Sequence, residues 1–202
     1  KISEKIKKEN KFSFQLITSN DDSLSCKILA VGISFAEQQN IYIEFNNFNK
    51  LIIKNLFEDE NITIIGFDLK FTIKTLIRHD IKKILGPLFD VQIAYHLLYP
   101  DRRNSLDIIC EQYLEKTLKE KSKEWLSDLD TKITANYACE RASVLFELST
   151  ILQKEMDKKK LVKLFEKVEI PLSTVLAKME IEGIAIDVEM LIDFGDELTN
   201  KL

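Results

Sequence analysis

The sequence predicts an α/β fold, a mixed five-stranded sheet flanked by helices, and three observations carry that prediction. Three apolar runs joined by short polar turns open the chain, the pattern of an antiparallel meander. Two further short apolar runs each lead through an aspartate into a helical pattern, which makes β-α units. The remainder reads as helix with few breaks.

Residues 1–10 are rich in Lys and Glu and read as frayed or linker-like. Phe12 to Ile17 is the first strand, followed by a polar turn from Ser19 to Ser23. Ile28 to Phe35, apolar and partly β-branched, is the second strand. The turn from Glu37 to Asn40 leads to the third, Ile41 to Phe45. Asn47 to Phe57 reads as a short helix and Ile62 to Gly66 as a buried strand. Asp68 is placed to cap a helix running to about His79. Ile84 to Phe89 is strand-like with a break at Gly86-Pro87, and Asp90 caps a helix that Pro100 closes off. From Ser105 the pattern is helical, with an apolar stripe between Asn136 and Met156 that includes Tyr137, Val144, Leu148 and Leu152.

The chain turns polar at Asp157 to Lys160. Beyond it, Leu161 to Met179 reads as a helix kinked at Pro171, Glu182-Gly183 as a turn, Ile184 to Ile186 as a short strand, and Asp187 as the cap of a last helix. The expected division is therefore 1–160 and 161–202. The chain begins without Met and ends inside a helical pattern, as an excised piece of a longer protein would.

With 45% hydrophobic and 31% charged residues, the composition is that of an ordinary globular chain. A formal net charge of −4 argues against a broadly basic nucleic-acid surface. Only four of the 29 basic residues are Arg, the better phosphate fork. Cys26, Cys110 and Cys139 have no metal spacing and read as small buried apolar residues of a reducing, cytoplasmic compartment. No apolar run is long enough to suggest a membrane span.

Several segments together resemble the 3′–5′ exonuclease region of family A DNA polymerases, the bacterial polymerase I type. They are Val31 to Phe35, Gly66 to Phe71, Phe89 to Leu98, Tyr137 to Arg141, and Ile170 to Asp187. The last is similar to the segment joining exonuclease and polymerase domains, which stand-alone nucleases of the RNase D type lack. The resemblance implies an RNase H-like (DnaQ-like exonuclease) sheet followed by the first helices of a polymerase domain. It also implies a monomeric parent polymerase that engages DNA and uses Mg2+ in its polymerase domain, and intramolecular packing of this piece against that domain.

In active members of that family four carboxylates hold two divalent metals that activate water and clamp the scissile phosphate. Carried over by motif, the first Asp-x-Glu pair falls on Gln15 and Ile17, and the second motif's Asp on Thr72. The third motif, Tyr-x-x-x-Asp, keeps its Tyr as Tyr137 and reads Arg141 in place of Asp. The resemblance thus implies a dismantled site: no catalytic residue, no metal and no cofactor in this piece, and neither nuclease nor polymerase activity. Asp68, Tyr137 and Arg141 would form a vestigial cleft, with Arg141 filling the metals' space and pairing with Asp68. Helix capping is favoured for Asp68 over a relocated metal ligand, and for Asp90 over chemistry. Packing is favoured for Tyr137 over orienting water. The run from Lys158 to Lys160 reads as a solvated turn before it reads as a DNA contact, His79 and His96 as surface or satisfied core residues, and Trp125 as core before it reads as a base-stacking platform. Two other roles compete with an inert structural one: a non-catalytic grip on single-stranded 3′ ends, and an exonuclease with relocated ligands.

Overall fold

The computed structural model describes residues 2–36, 39–118 and 131–201. Its centre is the sheet that the apolar runs predict. Strands β1 (Lys11–Thr18), β2 (Ile28–Ala36) and β3 (Gln39–Glu44) form the antiparallel meander. Strands β4 (Thr63–Gly66) and β5 (Leu88–Asp90) add in parallel on the other side of β1, giving the order β3-β2-β1-β4-β5.

Side chains of a strand alternate between faces, and β1 uses both. Phe12, Phe14 and Leu16 enter one apolar cluster, in which Phe14 meets the Phe57 ring edge-on at 4.9 Å. On the opposite face Ser13 donates to the Ala142 carbonyl at 2.5 Å, and Ile17 packs with Tyr137 and Ala138. Those last three partners belong to one long helix, α6 (Thr131–Lys159), which crosses β1 and β2. The helix passes so close that a Cβ on Gly32 would lie 2.5 Å from the Ala138 backbone.

The first cluster is covered by α1 (Ile2–Glu9), α2 (Lys50–Phe57) and α3 (Leu69–Arg78). Helix α1 corrects the frayed reading of residues 1–10: its Lys/Glu composition hides one fully buried anchor, Ile6, and tertiary packing of that residue makes the helix worth forming. The second cluster, on the α6 side, gathers α4 (Val91–Leu98), α5 (Leu106–Leu114) and the middle of α6.

After Lys160, which takes the left-handed conformation, the chain continues through α7 (Val162–Leu164), a π-helical turn (Phe165–Glu169), α8 (Ile170–Glu182) and α9 (Val188–Lys201). Pro171 lies in the first turn of α8, directly after the π-helical turn. Proline lacks an N–H and its ring clashes with the carbonyl four residues earlier, and the widened turn absorbs that misfit where the sequence suggested a simple kink. Phe165 is buried beside Phe89, and α8 packs along α3. Ile184 to Ile186 is not a strand: Ile184 and Ile186 are exposed and no sheet edge adjoins them, so a ladder has no partner. Asp187 does cap α9, accepting from the Met190 N–H at 3.0 Å.

Glu180 on α8 is gripped by Lys70 and Lys74 of α3, and those two ammonium groups hold its carboxyl down at about 2. A depressed carboxyl value adds stability above the ordinary value that disappears as the pH falls towards about 2. Glu180→Gln is expected to raise hydrogen exchange in α8 at pH 7 while leaving the sheet unchanged. Because the pair is exposed the global effect is small; equal protection of α8 in the variant would contradict the clamp.

Candidate functional site

A cleft of about 300 Å³ opens where β1, the β4–α3 junction and α6 meet. It brings together Gln15, Ile17, Asp68, Thr72 and Tyr137, five of the six positions singled out in the sequence. The period of two puts Gln15 and Ile17 on the α6 face of β1, and the four-residue offset puts Asp68 and Thr72 on one side of the start of α3. Phe14, Phe67 and Phe71 add aromatic wall, and Asp21, from the turn after β1, supplies a second carboxylate.

Each of these groups already has local work. The Gln15 amide donates to the Leu16 carbonyl at 2.9 Å. Asp68 is the N-cap of α3: it sits at φ 49°, a left-handed conformation aspartate tolerates better than most residues, and accepts the Phe71 N–H at 3.1 Å. Thr72 and Ile17 are almost fully buried. Burial pushes the Tyr137 hydroxyl above its ordinary value, while the Arg141 charge pulls it down and Asp21 and Asp107 push it up. Among the described residues no group of three His, Cys, Asp or Glu side chains comes together as a metal cluster.

Arg141 departs from expectation. Its side chain is only 12% exposed, yet it does not line the cleft and does not meet Asp68. Its guanidinium lies over the Tyr137 ring at 4.8 Å and bonds to Asp107 on α5 at 3.1 Å. One turn along α6 carries the cation past the cleft mouth, where α5 offers a carboxylate and Tyr137 a ring face. Sequence reasoning also missed Asp21, whose turn position carries no periodicity to mark it.

Asp90 takes the capping role read from the sequence and extends it. One oxygen accepts the Gln92 and Ile93 N–H groups that open α4, and the other accepts the Leu69 N–H that opens α3, at 2.7 Å. His79 is half-buried and satisfied: Nε2 accepts the Ile28 N–H at 3.2 Å and Nδ1 meets the Thr75 carbonyl at 2.8 Å. His96 is exposed. Cys26 and Cys110 are buried, and burial raises the Cys110 and Cys139 thiols, as expected of inert packing residues. In the exposed run from Lys158, Lys159 reaches the Leu98 carbonyl at 3.3 Å and the Tyr99 ring. Trp125 lies outside the described residues. No described helix is long and apolar enough to cross a membrane.

A family model described as 3′-5′ exonuclease, of the DNA polymerase A type, matches residues 1–157. DNA polymerase I of Borreliella burgdorferi is 32% identical over 202 aligned residues, covering 93% of this chain and 22% of its own length. DNA polymerase I of Synechocystis is 26% identical, with 92% of this chain and 21% of the relative covered. The chain thus spans about a fifth of the length of these relatives. Among solved structures, the POL domain of Pol1 from M. smegmatis superposes with a TM-score of 0.83 at 19% identity, covering 98% of this chain and 34% of that one. NrnC of Brucella melitensis gives 0.75 at 19%, with 89% of each chain covered, and RNase D of Escherichia coli 0.73 at 15%, with 88% of this chain and 48% of that one covered. These neighbours share the RNase H-like exonuclease architecture that the strand order describes. With the match covering most of its length, the chain belongs to the 3′–5′ exonuclease domain family of family A DNA polymerases.

Proposed function

We propose that the chain is a catalytically silent exonuclease-like domain of a DNA polymerase I, with residues 161–202 opening the polymerase domain that it supports. The composition of the cleft carries this reading. Mg2+ and similar cations take oxygen ligands, carboxylates above all. The cleft offers an amide from Gln15, which already donates to the backbone, a buried hydroxyl from Thr72, a hydrocarbon from Ile17, and the carboxylates of Asp21 and Asp68. Asp68 already accepts a backbone N–H, and the Arg141 cation stands behind Tyr137. This donor set does not fit a two-metal centre. Without metal charge beside it, a scissile phosphate meets two carboxylates and no cation among the described residues of the cleft lining. The same charge pattern disfavours a tight grip on a 3′ end.

The supporting role draws on α8 and α9. Val175 and Met179 on α8, and Met190, Leu191 and Phe194 on α9, are all more than half exposed. So many exposed apolar side chains on two helices call for a covering partner, and the similar POL domain is about three times as long as this chain.

The chain incubated with 3′-labelled single-stranded DNA and Mg2+ or Mn2+ is expected to leave the DNA intact. Metal-dependent shortening from the 3′ end that vanishes in Asp68→Ala would overturn the proposal and favour relocated ligands. Tight, uncleaved binding would favour the 3′-end module, and its salt dependence would count the phosphates engaged.

A further inference from the structure

Away from the cleft, the face formed by α3, the loop before β5 and α8 holds a second recess, of about 180 Å³. Its walls are apolar: Ile73 and Ile77 of α3, Ile84 and Leu85 of the loop, and Leu88 of β5. Leu85 stands 52% exposed at the rim. Around this floor stand three exposed lysines, Lys82, Lys83 and Lys178, and no carboxylate is among the described residues of the lining. The nearby cations are engaged: Lys70 and Lys74 hold Glu180, and Lys50 holds Asp80. Among the described residues, none of the three rim lysines forms an ion pair. Lys82 also acts on the Asp80 carboxyl that Lys50 holds, so what remains at the rim is a local excess of positive charge on a chain of net −4, a focused field.

We propose that this recess docks an acidic peptide segment of a separate partner protein, with one large apolar side chain as its anchor and flanking Asp or Glu side chains on the lysines. A cavity of roughly 150 Å³ is enough to hold a benzene ring, so the recess takes a phenylalanine or leucine side chain. The apolar floor decides between anionic partners. A sugar–phosphate backbone has no compact apolar side chain to place there and is better met by Arg forks, whereas an apolar anchor among carboxylates matches both floor and rim. The site is independent of the silence of the cleft, since Thr72 faces the cleft and Ile73 and Ile77 face the recess.

The test is fluorescence anisotropy of a fluorescein-labelled peptide carrying one central phenylalanine flanked by glutamates on both sides, titrated with the chain. Saturable binding is expected, weakened roughly tenfold by Lys82→Glu/Lys83→Glu, by a peptide with alanine for phenylalanine, and by raised salt. Leu85→Asp, an exposed change whose folding is checked by its melting temperature, is expected to abolish it. Binding unaffected by these substitutions would overturn the proposal. Three other results would do the same: displacement of single-stranded DNA by the same lysine substitutions without peptide binding, self-association of the chain through the recess, and loss of binding in the parent polymerase, where the recess would be filled from within.

Discussion

Gly32→Ala is expected to cost about 3 kcal/mol, at the upper end of what overpacking does, and to lower the melting temperature by about 6–12 °C for a chain of this size. The added Cβ would sit 2.5 Å from both the carbonyl carbon and the oxygen of Ala138, and 2.7 Å from its Cβ. None of those atoms is the end of a flexible side chain. Relief requires moving α6, which packs along both β1 and β2. Two other glycines serve as controls. At Gly66 the nearest atom is Cδ2 of Leu69, which can rotate away, so Gly66→Ala costs less. Gly195 lies in the open in α9, where alanine adds helix propensity, so Gly195→Ala stabilises that helix by about 0.5–1 kcal/mol. Thermal unfolding followed by circular dichroism orders the three. If Gly32→Ala melts with the parent chain, the close approach is not a constraint. The consequence reaches the cleft, because Gly32 lies opposite Gln15 in the β1–β2 register. The closeness of α6 over that pair sets how near Tyr137 comes to Gln15 and Ile17.

The sheet was legible because its strands are apolar runs bounded by polar turns, and the three capping aspartates, Asp68, Asp90 and Asp187, were legible because a cap needs a particular residue at a particular place. What escaped the sequence depends on distant partners. Ile6 is one isoleucine among lysines until β1 and β2 close over it. Ile184 to Ile186 has strand-like residues and no neighbouring edge, so local preference lost to the absence of a ladder. Arg141 meets Asp107, 34 residues away on α5, and no local pattern marks that pair. The motif positions came together in one cleft because they follow local rules, period two on β1 and i to i+4 on α3. The orientation of Arg141 follows from where α5 docks, and that is a tertiary fact.

Asp90 is a fully buried carboxylate on which the starts of two helices depend. Asp90→Ala would strand three backbone N–H groups at the starts of two helices, and a buried donor without a partner costs about 1–3 kcal/mol. A loss of about 3 kcal/mol or more is expected, read as a shift in urea midpoint at constant slope. The pH dependence is more discriminating. Burial pushes the Asp90 carboxyl up to about 6, against the pull of the Leu69, Ile93 and Gln92 N–H groups and with a further push from the Asp68 charge. The native state therefore holds this proton to higher pH than the unfolded chain does. Stability from Asp90 is fully present below the ordinary carboxylate value and is lost as the pH rises through about 6, an excursion of about 3 kcal/mol. Asp59, Asp80 and Glu180 are all depressed and act oppositely, losing their contribution only on the acid side. The two trends place maximum stability on the acid side of neutrality, near about pH 5. Asp90→Asn keeps an acceptor for α4 but turns an amide towards the Leu69 N–H, so it lowers stability and also abolishes the rise between pH 7 and 5. Parallel stability curves for the parent and Asp90→Asn across that window would mean that the carboxylate stays ionised, with the two helix starts outweighing its burial.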